Sequence, residues 1–269
     1  MANIHPTAVV EGDMQLAEDV VIGPYCVVGG GVSIGAGTVL DARVVLTGNT
    51  KIGRQNRFYP NSIIGGCPQV LGMEPGSKMG GLVIGDRNTI RENVTIHTSR
   101  HEGKATRIGN DNLLMVGSHI GHDCLVEDRV VLSNGVQIAG HVKIEMGAWF
   151  SGLAASHQFV TIGRWSYIAG LAGLNRDVPP FLIVSGHYPP KVRGVNKRGM
   201  ARAGLNEEQQ QRVTEAYRKL YRGRHPLLVN AQELARQDGL DENVRAILDA
   251  IFKSNEHRFG RYRETLRGE

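Results

Sequence analysis

Residues 108–144 read IGNDNLLMVGSHIGHDCLVEDRVVLSNGVQIAGHVKI, and within them Ile108, Leu114, Ile120, Val126, Leu132, Ile138 and Ile144 fall in unbroken steps of six. The same six-residue step is already present near the N-terminus, in Ile4, Val10, Leu16, Ile22, Val28, Ile34, Leu40, Leu46, Ile52, Phe58 and Ile64. The step resumes at Ile84, Ile90 and Ile96 and continues beyond 144 through Phe150, Ser156, Ile162, Ile168 and Leu174, with Ser156 alone breaking the later run. A helix repeats every 3.6 residues and a strand every two, so neither alone produces sixes. Short strands joined by turns do. Three hexads close a triangular coil of about 18 residues whose marked side chains point inward, while each face pairs in parallel with the coil below.

Two stretches interrupt the phase. Residues 65–83, GGCPQVLGMEPGSKMGGLV, are rich in Gly and Pro, and 98–107, TSRHEGKATR, are charged, so both are expected to leave the prism and to wall a site beside it. After RDVPP at 176–180 the phase ends. Helices are expected at 206–222, behind an Asn206 cap, at 227–237 and at 241–254. The predicted organisation is a parallel β-helix over 1–186 followed by a small helical domain over 187–269.

The chain has 269 residues with 31 Lys and Arg against 26 Asp and Glu, a net charge of +5, which describes an ordered protein and no extreme basic tract. Its 35 glycines fit a fold made of turns. Cys26, Cys67 and Cys124 form neither a short metal-binding pair nor a disulfide framework, which points to a reducing compartment. MANIHPTAVVEGD at the start lacks a secretory apolar run, and no stretch of about 20 apolar residues occurs. The expectation is a soluble, cytoplasmic protein without a transmembrane segment. The basic segment KVRGVNKRGMAR at 191–202 lacks the interleaved aromatic residues of a nucleic-acid platform, so no nucleic acid is expected; it suits an acidic protein partner or a diphosphate.

Polar chemistry concentrates in the most regular coils. His119 and His122 flank the inward Ile120, and 18 residues above His122 lies Gly140, beside His141; 18 above Ala139 lies His157. Coils stack about 4.8 Å apart, so histidines remote in sequence can line one ridge. Asp123 is a candidate to orient His122, and a neutral imidazole held by a carboxylate is a suitable general base near pH 7. On the spacing alone, histidines that merely fill turns are the leading reading, ahead of catalysis and then of convergence on a metal, and all three stay open.

NLLMVGSHIGHDC, followed by GHVKI, SHQFVTIG, RDVPP and GVNKRGMARAG, resembles the bacterial hexapeptide-repeat acyltransferases, and among them the UDP-N-acetylglucosamine O-acyltransferases of lipid A synthesis. The resemblance implies a left-handed parallel β-helix, an exception to the right-handed crossover rule. It implies transfer of a (3R)-hydroxyacyl group from acyl carrier protein to the 3-hydroxyl of a UDP-sugar, by a homotrimer and with no cofactor. By the same resemblance His122 is the general base, Asp123 its partner, and the Gly140 N–H the oxyanion donor. His119, His141, His157 and Gln158 position substrate, Gly170 lies at the end of the acyl groove, and Asn196 and Arg202 hold the nucleotide. No metal is implied: His119, His122 and His141 do not match the zinc pattern of β-helical lyases. Cys124, beside Asp123, is the only thiol near the motif, and direct transfer is expected over an acyl-enzyme.

The chain departs from that family in the first interruption. Val70 stands where relatives carry a carboxylate and Gly72 where they carry a lysine, so an altered acceptor, including N-acylation of a UDP-amino sugar, stays open. So does a non-catalytic β-helical binding scaffold.

Overall fold

The computed structural model describes residues 1–74 and 76–267. Between Asn3 and Leu174 strands of two to four residues wind around one axis, each pairing in parallel with the strand a full coil away. Among the described residues they form three sheets, B with nine strands, C with eight and A with nine, to which Leu182–Ser185 and Lys191–Val195 add a tenth and an eleventh. The last pair of sheet A is the exception to parallel pairing, because Lys191–Val195 runs antiparallel to Leu182–Ser185.

The hexad phase is the core. From Ile22 to Leu174 the marked residues are 0–5% exposed, and they stack coil on coil in a single apolar column. Each fully buried Ile, Leu or Val there is worth about 1.5–3 kcal/mol relative to exposure. Ser156 keeps the inward position at 4% exposure, its Oγ donating to the His157 carbonyl at 3.3 Å. Ile4 is 42% exposed, since the first coil has no coil beneath it.

Most corners turn through one residue in the left-handed region. At the corner between sheets B and C these are Asp123, His141 and Phe159, with φ of 60°, 63° and 66°. Asp and His enter that region more readily than most residues, and Phe159 takes it as do Leu153 and Leu171 at other corners.

The two interruptions do not disturb the ladder. Hydrogen bonds between adjacent coils normally span 18 residues, but they span 32 across the first excursion and 24 across the second. Phe58 still pairs with Ile90 and Ile96 with Ile120. Strand pairing resumes at Gly81 and Ala105, so irregular chain is confined to 67–80 and 98–104, less than the sequence suggests.

A buried asparagine ladder marks the corner between sheets C and A. Asn56 Oδ1 accepts from the backbone and side-chain nitrogens of Asn88 at 2.9 Å, Asn88 Oδ1 from Asn112 N at 2.9 Å, and Asn112 Oδ1 from Val130 N at 2.7 Å. Thr38 Oγ1 precedes them in the stack by accepting from Asn56 N.

The helices are α1 (Lys197–Arg202), α2 (Glu207–Arg222), α3 (Leu227–Ala235) and α4 (Glu242–Asn255), followed by a 3₁₀ turn at Tyr262–Leu266. Asn206 caps α2 in a reciprocal box with Gln209, and Asp241 caps α4. Val213, Ala216 and Leu220 of α2 and Val244, Ile247 and Ile251 of α4 pack with Trp165, Phe181 and Met200 in a second apolar cluster. Strand Lys191–Val195 and α1 are elements that the sequence reading did not resolve. None of the described helices is long and apolar enough to cross a membrane.

Candidate active site

The B–C corner carries the site because three successive turns place pairs of functional residues there: His122 with Asp123, Gly140 with His141, and Gln158 with Phe159. His122 Nδ1 lies 2.7 Å from Asp123 Oδ2. An ionised carboxylate only accepts, so this contact places a proton on Nδ1, and in the neutral tautomer of that ring the lone pair is on Nε2. Asp123 is itself fixed by the Ser99 hydroxyl and by Arg100 N at 3.3 Å, while its own N–H donates to Thr106 Oγ1 at 2.8 Å. Burial alone would raise the Asp123 carboxyl, but the hydrogen bonds from His122, Ser99 and Arg100 outweigh it and hold the pKa at about 2.

Gly140 is a steric requirement of this arrangement. A Cβ at that position would sit 2.6 Å from His122 Cε1 and 2.7 Å from Nε2, so the imidazole lies against bare backbone. The Gly140 N–H has no hydrogen-bond partner among the described residues. His141 meets His122 edge-on at 5.0 Å and stacks on Phe159 at 4.5 Å with 8° between planes. Burial, opposed by Asp123 and reinforced by His122, lowers the His141 pKa to about 4, so its ring is neutral at pH 7.

These groups open into a cavity of about 1100 Å³ lined by His122, Asp123, His141, Gln158, Phe159, both excursions and the C-terminal turn. Val70 and Leu71 of the first excursion line it, whereas Gly72 takes a φ of 80° with open space around it.

Other expected site residues lie elsewhere on the chain. His119 is on sheet B, where its Nδ1 contacts Thr95 Oγ1 at 2.7 Å, and burial followed by the His122 charge lowers its pKa. His157 is exposed, with Nδ1 3.2 Å from the Gln158 carbonyl. Gly170 sits at the A–B corner beside Leu171 and across from Gly152, at the opposite edge of sheet B from His122. Asn196 caps α1, accepting from Gly199 N at 3.0 Å and donating to the Trp165 carbonyl at 2.8 Å. The Arg202 guanidinium lies 4.9 Å over the Trp149 ring, and with Asn196 it lines a small cavity of about 100 Å³ apart from the His122 cleft.

Sequence reading missed several neighbours of this corner. His97, 8% exposed, meets His119 edge-on at 4.7 Å, and burial followed by the His119 and His122 charges lowers its pKa to about 4. It directly follows the inward Ile96, which was in phase; the 24-residue step to the next coil hid its neighbours. Ser99 and His101 come from the second excursion and Arg263 from the far C-terminus, positions that no periodicity connects to His122. His101, Asp123 and His141 bring ligand atoms within 4.8 Å of one another, a set able to receive a metal ion. Cys124, in contrast, is sealed: its thiol donates to the Ala139 carbonyl at 3.1 Å, and burial pushes its pKa up to about 12. A thiol in that state is no nucleophile.

Comparison with known proteins places this arrangement. Residues 177–260 match the family described as UDP-N-acetylglucosamine O-acyltransferase, domain 2, and residues 13–48 match the bacterial transferase hexapeptide repeat. The acyl-[acyl-carrier-protein]–UDP-N-acetylglucosamine O-acyltransferase of Anaeromyxobacter sp. is 44% identical over 244 residues, 90% of this chain and 93% of that one. Its counterpart in Synechocystis sp. is 42% identical over 193 residues, 72% of this chain and 69% of the relative. Among solved structures, the UDP-N-acetylglucosamine acyltransferase of Francisella novicida superposes with a TM-score of 0.87 at 34% identity, covering 96% of this chain and 92% of that one. The O-acyltransferase of Moraxella catarrhalis gives 0.84 at 38%, covering 91% and 95%. The parallel prism is therefore the left-handed β-helix of those structures. By fold, by identity along nine-tenths of its length and by the chemistry grouped at its B–C corner, the chain is an acyltransferase and belongs to the UDP-N-acetylglucosamine O-acyltransferase family.

Proposed function

We propose that this protein transfers a (3R)-hydroxyacyl group from acyl carrier protein to the 3-hydroxyl of UDP-N-acetylglucosamine, the opening step of lipid A biosynthesis. The observation that carries the mechanism is the His122–Asp123 pair, set in a cleft with Gly140 backbone against its ring. Asp123 accepts from Nδ1–H, so Nε2 takes the proton of the sugar hydroxyl as its oxygen attacks the thioester carbonyl. The new C–O bond forms a tetrahedral oxyanion, and the uncommitted N–H of Gly140 is its donor. Collapse breaks the C–S bond, and the His122 imidazolium returns the proton to the departing carrier thiolate. The step balances with the two substrates alone. His141, neutral at pH 7, and Gln158 hold the sugar nucleotide in the cleft.

The functional residues divide between the two edges of sheet B, with His122 at one and Gly170 at the other. Copies packed edge to edge about a common axis would unite them, which supports a homotrimer. Sheet B also carries the surface for it: Val9, Val27 and Ile63 are 47%, 37% and 45% exposed and align through Val45 in one outward stripe leading toward His119. The basic residues of 191–202 suit the acidic carrier.

Incubation of the purified protein with hydroxyacyl carrier proteins of graded length and parallel 3-hydroxyl and 3-amino UDP-sugars, followed by mass analysis, tests this reading. The expected product is the 3-O-acyl sugar, absent with His122→Ala. Exclusive acylation of the 3-amino sugar would replace the acceptor, an outcome to which Val70 and Gly72 give weight.

A further inference from the structure

The C-terminal turn reaches the catalytic corner from more than a hundred residues away in sequence. It is fastened at several points: Tyr262 N donates to Asp177 Oδ2 at 2.9 Å, Arg261 Nη1 to the Asn175 carbonyl at 2.9 Å, and Asp177 N to the Gly260 carbonyl at 2.6 Å. Arg261 Nε also donates to Glu264 at 2.8 Å. The turn thereby delivers two cations to the cleft. Arg263 Nε donates to the His141 carbonyl at 3.1 Å, and its two terminal amino groups meet no acceptor among the described residues. Arg267 lies with its guanidinium 5.5 Å over the Phe159 ring, and Glu264, at 3.6 Å, satisfies it only in part.

Arg100 joins them from the second excursion; its backbone N–H is spent on Asp123, while its guanidinium has no partner among the described residues. Against these cations the cleft sets Glu102 and Asp123, and the second is already engaged by His122 and Ser99. Guanidinium groups that keep spare donors beside a reaction centre are suited to bidentate recognition of phosphate.

We propose that Arg263 and Arg267, with Arg100, form an anion subsite inside the catalytic cleft that grips a phosphate ester of a substrate. This inference rests on the acyl-transfer reading. Two sources supply the chemistry: the diphosphate of the sugar nucleotide, and the phosphodiester that links the carrier's thiol arm to its protein. Nothing in the proton path requires these arginines, so their contribution falls on binding.

The test uses the full chain with Arg267→Ala, Arg263→Gln, Arg263→Lys and Arg100→Ala, measuring KM for each substrate separately, kcat, and the melting temperature. Loss of one charge-assisted pair is expected to raise one KM about tenfold while kcat stays within a factor of about two. Arg263→Lys should recover part of the loss. The substrate whose KM moves identifies the source of the phosphate. Unchanged KM for both substrates in Arg267→Ala and Arg263→Gln overturns the subsite. So does a fall in kcat that tracks a loss of melting temperature, since that would make the turn structural only. Calorimetric titration with inorganic pyrophosphate reads the subsite without turnover: weaker binding to Arg263→Gln and Arg267→Ala supports it even if no UDP-sugar is acylated, and equal binding to wild type and variants refutes it.

Discussion

Two corners of the same prism use the same stacking geometry to opposite ends. At the C–A corner Asn56, Asn88 and Asn112 point inward and spend nearly all their hydrogen-bonding capacity on one another and on backbone; Asn112 Nδ2 is the exception. At the B–C corner His122, Asp123 and His141 lie over the turns and face a cleft. Amide groups that do not titrate and whose hydrogen bonds run along the stack make a brace. Imidazoles with one nitrogen held and the other spare make a reactive edge. The difference is one of protonation chemistry and of which side of the turn the residue occupies, since both corners repeat with the coil.

The sharpest way to break this comparison is to remove the proposed base. His122→Ala should lower acyl transfer by about 10²–10⁴-fold while circular dichroism and the melting temperature stay close to wild type, because the ring lies over the turn and outside the apolar column. Retained activity would move the base elsewhere. Next in size, Gly140→Ala would place a methyl where the His122 ring now sits, and a loss of about 10²-fold is expected, with the variant still folded. If a small-to-large change at 140 left the rate intact, the ring and backbone would not share a reaction centre.

The brace should answer differently. Asn88→Ala orphans the buried Asn112 N–H and the Gly109 carbonyl, which should cost about 1–3 kcal/mol in chemical denaturation with kcat preserved. A loss of kcat with stability preserved would invert the assignment of the two corners.

The smallest effect expected is on acid stability. His97 and His141 have folded pKa values of about 4, below the ordinary 6.5, so the unfolded chain takes up protons first as pH falls. Their contribution is complete above about pH 6.5 and lost as pH descends through about 4. Thermal melts across that window should show a declining midpoint, and His97→Gln should flatten the slope; an unchanged slope would show that His97 is not the titrating group.

The prism was legible because its period is written into single residues: Ile120 and Ile138 sit where the count of six puts them, and the structure pairs them directly. His122, Asp123, Gly140 and His141 were legible for the same reason, being one coil apart. What failed to show was whatever entered the corner off the repeat. Ser99 and His101 arrive on a loop whose length changes the coil step to 24, and Arg263 comes through a docked turn held by Asp177, so no sequence interval relates them to His122. Asn196 was read as a nucleotide contact, and within one chain its side chain is occupied in capping α1; its place in the cleft depends on the proposed neighbouring copy.

The sealed state of Cys124 has a consequence for durability. Cys124 adjoins Asp123, and with its pKa at about 12 it presents no thiolate to peroxide or to alkylating reagents. The proposed reacting groups are an imidazole and a carboxylate, neither of which stands on the thiol oxidation ladder. Turnover at this corner should therefore outlast oxidative conditions that silence cysteine-dependent transferases.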